Sequence, residues 1–129
     1  MNFYQGKLEN IGDLIYVFGS NTRGVHGAAS ALEARKRYGA ILGHGFGLMG
    51  QSYAIPTKDY SIRTLDLQTI EAYVGGFRLF VQNNQNLKFY ITPIGTGLAG
   101  YQHSDIAPMF RNMVGKERYW YLEEWRPYL

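Results

Sequence analysis

An α/β fold with a mixed, largely parallel central sheet is the architecture this sequence predicts, on three observations. Short apolar runs of strand type alternate with helical stretches along the chain. The stretch from Asp66 to Val81 carries apolar residues at spacings of three and four, the period of one helix face. The segments that follow strands hold Gly, Asn, Thr and Lys, and in open α/β sheets ligands sit at the carboxyl ends of the strands. The length of 129 residues suits one domain, 1–129, and no repeat or linker interrupts it.

The elements follow in chain order. Leu14 to Phe18 is a continuous apolar run rich in β-branched and aromatic residues, and predicts a buried strand. It ends in the turn cluster 19–24. His26 to Tyr38 has helical composition, with Gly39 closing it. Gly43 to Gly50 contains four glycines, a density that predicts a loop rather than a regular element. Ser52 to Ile55 reads as a short strand stopped by Pro56. In the second helix, Leu67, Ile70, Val74, Phe77 and Val81 form the apolar face. Leu87 to Thr92 predicts another strand, followed by the Gly-rich loop Ile94 to Tyr101. Ser104 is expected to cap a third helix that turns Ile106, Phe110, Met113 and Val114 inward. Tyr119 to Leu122 reads as the last strand.

Composition narrows the chemistry. Apolar residues at 46% and charged residues at 18% describe a globular chain. With no cysteine there is no disulfide, thiolate metal site or thiol nucleophile. No apolar run approaches the roughly 20 residues of a membrane span, and the N-terminus lacks the layout of a signal peptide. The reading is a cytoplasmic domain without a membrane partner. The net charge of +3 suits an anionic ligand. Arg35, Lys36 and Arg37 form the densest basic group and read as a solvated helix face ahead of a nucleic-acid patch, so nucleic acid is a possible but not a favoured partner. His26, His44 and His103 are too dispersed to predict a metal site, and no cofactor is expected. No G-x-S-x-G elbow is present.

Three loops carry the chemistry: 19–24, 56–59 and 94–101. Gly95-Thr96-Gly97-Leu98-Ala99-Gly100 matches G-x-G-x-x-G between a strand and a helix, the context in which glycines let backbone N–H groups approach a diphosphate. Glu123 lies at a suitable distance in sequence for a ribose contact. No second half follows to hold a nicotinamide, so phosphate binding is favoured over a full dinucleotide site. Gly45 to Gly50 matches the same pattern but precedes a strand, and carries no such signal. Gly19-Ser20-Asn21 ends the first strand and His26-Gly27-Ala28-Ala29 opens the first helix, whose N-terminus suits a phosphate. Asn21 could hold a sugar hydroxyl, or serve only as a turn residue. Lys58 could be a surface charge, a phosphate clamp or a nucleophilic amine.

Taken together these pieces resemble the macrodomain family of ADP-ribose-binding modules. Gly19-Ser20-Asn21 followed by Gly24-Val25-His26-Gly27-Ala28-Ala29 is similar to the family's first loop. Ile94 to Tyr101 is similar to its second, diphosphate-wrapping loop. Tyr53-Ala54-Ile55-Pro56-Thr57-Lys58 resembles the branch that removes ADP-ribose from acidic side chains, in which a Thr-Lys supplies a catalytic lysine. Ala99 stands where that branch keeps an acidic residue, and Gly12-Asp13-Leu14 only partly echoes the family's Gly-Asp-Ile. The whole pattern is also similar to a group of small phage and bacterial proteins of undefined function; a phage origin would put it in the host cytoplasm. The resemblance implies a compact three-layer fold and a partner that is an ADP-ribose-type nucleotide or an ADP-ribosylated macromolecule. It implies ligand contacts at Gly19, Ser20, Asn21, Gly24, His26, Gly27, Ala28 and Thr57. It implies further contacts along Gly95, Thr96, Gly97, Leu98, Ala99, Gly100 and Tyr101. If the protein is an ADP-ribosyl hydrolase, Lys58, Asn21 and His26 are the catalytic candidates.

Overall fold

The computed structural model describes residues 1–129. Its centre is a six-stranded sheet in the order β1-β6-β5-β2-β4-β3. The strands are β1 (Asn2–Tyr4), β2 (Ile15–Asn21), β3 (Gly47–Met49), β4 (Ser52–Lys58), β5 (Phe89–Ile91) and β6 (Tyr119–Leu122). Every pairing is parallel except β3 with β4. The helices are α1 (Ala29–Arg37), α2 (Leu67–Gln82) and the single turn α3 (His103–Ile106). The mixed, mostly parallel α/β sheet is the one expected.

Strand alternation explains the layering. Tyr16 of β2 stacks on Tyr38 at the end of α1, with ring centroids 4.6 Å apart. On the opposite face Tyr53 of β4 meets Phe77 of α2 at 4.9 Å, and Phe77 meets Phe89 of β5 at 5.2 Å. Ile70, Val74, Phe77 and Val81 are fully buried, so the apolar stripe of α2 faces the sheet. Asp66 caps α2 by accepting from the Thr69 N–H at 2.8 Å. Buried Arg118 closes the far corner, donating to the carbonyls of Val81, Asn84 and Leu87.

The structure corrects several expectations. β1 has no counterpart among the expected strands; it exists because β6 offers it an edge, pairing Phe3 with Tyr121. β3 lies inside the glycine cluster expected to be only loop, because the pairing of Gly47 with Ala54 satisfies its backbone despite the glycines. β2 runs on to Asn21, with an irregularity between Ser20 and Asn21. β4 passes through Pro56 to Lys58. The Tyr16 N–H bonds the Gln51 carbonyl, so alternate residues from 51 face β2 and Pro56 faces away. Pairing to β3 ends at Ala54, so the missing N–H of Pro56 falls where no partner strand lies. α1 begins at Ala29, not His26, since residues 26–28 lie outside the helix and Ala28 is extended. The third helix is one turn, capped by Gln102 and Asp105 reciprocally rather than by Ser104. Pro108, which has no N–H, lies in the 3₁₀ turn Ala107–Phe110 that follows. Ile106, Phe110 and Met113 are buried, but Val114 is exposed. Glu123 forms an ion pair with Arg126 at 2.9 Å and takes no part in the cleft described below. No helix is long and apolar enough to cross a membrane.

Candidate functional site

The carboxyl ends of β2, β4 and β5 meet at a cleft of about 240 Å³. The meeting is close: a Cβ at Gly19 would sit 3.5 Å from the Thr57 side chain and 3.6 Å from the Gly95 N. Parallel β2 and β4 bring Asn21 opposite Lys58. The Thr64 hydroxyl donates to the Ala99 carbonyl at 3.2 Å, and the Tyr101 hydroxyl donates to the Leu65 carbonyl at 2.6 Å. These bonds tie the loop after β4 to the loop after β5.

Most of the expected residues line this cleft. From the first loop come Gly19, Ser20, Asn21, Gly27 and Ala28, and from the end of β4 come Thr57 and Lys58. The second loop contributes Gly95, Gly97, Leu98 and Ala99. The other five lie outside it. Gly24 turns its back on the cleft; a Cβ there would overlap the His44 N. His26 is fully buried beneath the loop, with Nε2 between the Ile41 and His44 carbonyls. The Thr96 hydroxyl donates to the Pro93 carbonyl at 2.6 Å. Gly100 and Tyr101 close the second loop through N–H bonds to Gly97 and Gly95.

The cleft also takes in residues not named among the expected contacts, although Val25, Ala29 and Ile94 belong to the two loop motifs. Ala29, Ser30 and Ala31 enter from the first turn of α1, and Val25, Ile62, Pro93 and Ile94 line the wall. Small residues at a helix start are the available signal for the first three. Nothing marks Ile62, which reaches the cleft through a left-handed conformation at φ 65° in the turn after Lys58.

The electrostatics are one-sided. Lys58 is the one charged side chain in the lining, no carboxylate faces the cleft, and Lys58 has no ion pair. Asp59, its neighbour, accepts from the N–H groups of Ser61 and Arg63, both at 2.9 Å, and so serves its own turn. The N–H groups of Gly27, Ala28, Ala29, Ser30 and Ala31 donate to no protein acceptor. The same holds for Gly95, Gly97, Leu98 and Ala99. α1 has no acidic residue in its first turn and no side-chain cap. Unpaired N–H groups, a helix N-terminus and a lysine make a surface complementary to an anion. The Asn21 amide is largely committed: Nδ2 donates to the Val25 carbonyl at 2.8 Å and Oδ1 accepts from the Val25 N–H at 3.0 Å. One N–H and one lone pair remain on it for a further partner.

No protein-family model and no curated protein matches the sequence. Solved structures do match. The macrodomain of Mycobacterium tuberculosis DarG is similar at a TM-score of 0.68 and 16% identity, over 93% of this chain and 96% of that one. The macrodomain of Thermus aquaticus DarG is similar at 0.66 and 17%, over 94% and 95%. A protein of unknown function from Bacteroides thetaiotaomicron is similar at 0.61 and 14%, over 94% and 95%. At such identity the likeness is one of fold, and it extends over almost the whole chain.

Proposed function

We propose that this chain, a macrodomain by fold, binds an ADP-ribose-type nucleotide in the cleft at the ends of β2, β4 and β5. The reading is carried by one observation: unpaired N–H groups from two glycine-rich loops line a single cleft whose one charged side chain is a lysine. A diphosphate satisfies several such donors at once, and its charge is complementary to Lys58 and to the positive end of α1. The distal ribose would then lie toward Asn21 and Lys58, which pair across the strand ends. Calorimetry with ADP-ribose tests this. Micromolar binding, with ADP weaker, is expected; no heat at millimolar ADP-ribose refutes it. Salt-dependent binding to random DNA without ADP-ribose binding would favour a nucleic-acid accessory role instead.

Lys58 favours a second reading, removal of ADP-ribose from a macromolecule. A neutral lysine amine would attack the anomeric carbon, displace the acceptor and, after ring opening, hold the sugar as a Schiff base that water hydrolyses. Such a step needs a group to carry the proton. Ala99 cannot carry it, Asp59 is bonded to its own turn, and His26 is buried outside the cleft. Binding is therefore the first reading, with Lys58 holding ribose or phosphate. Borohydride trapping with ADP-ribosylated protein separates the two. An adduct lost in Lys58→Ala would establish the enzyme.

A further inference from the structure

The glycine-rich segment 43–50 lines no part of the cleft. It is nevertheless fastened to the underside of the first loop at several points. The Gly43 N–H donates to the Gly24 carbonyl at 2.9 Å, and the Ser20 hydroxyl donates to the Gly45 carbonyl. A Cβ at Gly45 would overlap the Asn21 carbonyl oxygen. His26 supplies the central fastening, with Nε2 3.0 Å from the Ile41 carbonyl and 2.9 Å from the His44 carbonyl.

Two carbonyls can only accept, so Nε2 carries the hydrogen. Nδ1 is buried without a partner, and the ring meets Phe18 edge-on at 5.5 Å. A hydrocarbon side chain would fill this space with no unpaired nitrogen. What the imidazole adds is one rigid donor shared by two carbonyls of a neighbouring segment. That donor sits immediately before Gly27, where the unpaired N–H groups that line the cleft begin. The start of α1 has little local support of its own. Its cap residue Ala28 makes no side-chain bond, and Ala29 is held at φ 50°, outside the ordinary helical region.

We propose that His26 is a positioning residue: through Nε2–H it clamps segment 41–45 beneath the first loop and so holds the N–H groups of Gly27–Ala31 in the arrangement that receives the anion. Segment 43–50 is on this account a brace and not a second ligand loop. The ligand half of the proposal rests on the nucleotide-binding reading above; the clamp itself does not.

The test compares His26→Gln, whose amide nitrogen reaches the place of Nε2, with His26→Asn, whose amide is too short to reach it. Three readouts are taken: the imidazole tautomer by 15N NMR, amide hydrogen exchange at 24–25 and 43–44 without ligand and at 27–31 and 43–44 with ADP-ribose, and the Kd for ADP-ribose. In the wild type, a hydrogen on Nε2 and none on Nδ1 is expected. His26→Gln should stay within about threefold of wild type in Kd and exchange. Folded His26→Asn should exchange faster at the hydrogen-bonded amides of 24–25 and 43–44 and bind about tenfold or more weakly. A folded His26→Asn that binds normally, or two variants equally impaired, overturns the proposal. Should His26→Asn not fold, the wild type decides: ADP-ribose should raise exchange protection at 43–44 together with 27–31. Protection confined to 27–31 overturns the clamp. If the wild type does not bind ADP-ribose, the ligand reading fails, and exchange at 24–25 and 43–44 in the variants judges the clamp alone.

Discussion

Placing a carboxylate at Gly97 tests the anion-binding surface directly. A Cβ at Gly97 would meet no heavy atom within 4 Å, and the residue has no left-handed φ, so Gly97→Glu should fold normally. A side chain there nonetheless enters the cleft, since Gly97 lines it. One unit charge about 5 Å from another costs about 3 kcal/mol at an effective dielectric of 20, and about 1 kcal/mol in bulk water. A diphosphate presents two charges, so a loss of at least about 3 kcal/mol, more than 100-fold in Kd, is expected at physiological salt. Gly97→Gln adds nearly the same bulk without the charge and should lose about tenfold or less. At 1 M salt, where screening acts over about 3 Å, the gap between the two variants should narrow. Calorimetry with ADP-ribose measures each Kd, and thermal melts check the fold. Wild-type affinity in Gly97→Glu would refute the assignment of this loop. Equal losses in both variants, unchanged by salt, would refute the electrostatic part of the reasoning.

Asn21→Ala removes both bonds to Val25 and should destabilise the protein by about 1–3 kcal/mol while also weakening ADP-ribose binding; a melt and a titration that both match wild type would make Asn21 dispensable. Arg118→Met removes the side-chain donor to the carbonyls of Val81, Asn84 and Leu87, of which the first two keep a backbone donor, from the Asn84 and Leu87 N–H groups. A loss of about 1–3 kcal/mol in urea unfolding is expected, with ADP-ribose binding by the folded fraction intact. The Thr69 hydroxyl and N–H hold the Asp66 carboxyl below its ordinary value of 3.8. A lowered folded-state pKa gives stability that is present above the unfolded value and lost as pH falls through the folded one. The Tm difference between wild type and Asp66→Ala should therefore be full at neutral pH and vanish in acid; a difference that persists in acid would contradict the cap.

β2, β5, β6 and α2 are legible in the sequence because each is specified by its own residues: continuous apolar runs for buried strands, a 3.6-residue stripe for the helix. β1 and β3 are not, because each is three residues long and owes its conformation to the edge it pairs with. The expectation that Pro56 ends a strand fails for a related reason, since the cost of a missing N–H depends on which neighbour that position faces. The cleft is legible to the extent that the backbone carries it, in the glycines and small residues of the two loops. His26 misleads because a histidine beside a glycine-rich turn has the same sequence signature whether it faces the ligand or the core. Ile62 gives no signal because its place depends on one unusual backbone angle.

The pairing of β1 with β6 has a consequence for synthesis. The Asn2 side chain bonds the carbonyl of Glu117, 115 positions later in the chain. At translation rates of roughly 5–20 residues per second, the partner of β1 is made about 6–23 seconds after β1 itself. The four central and far-edge strands β2, β3, β4 and β5 are complete well before that. β1, translated before the other five strands of this sheet, thus finds its partner strand last, while the cleft, built on β2, β4 and β5, is already encoded in the nascent chain.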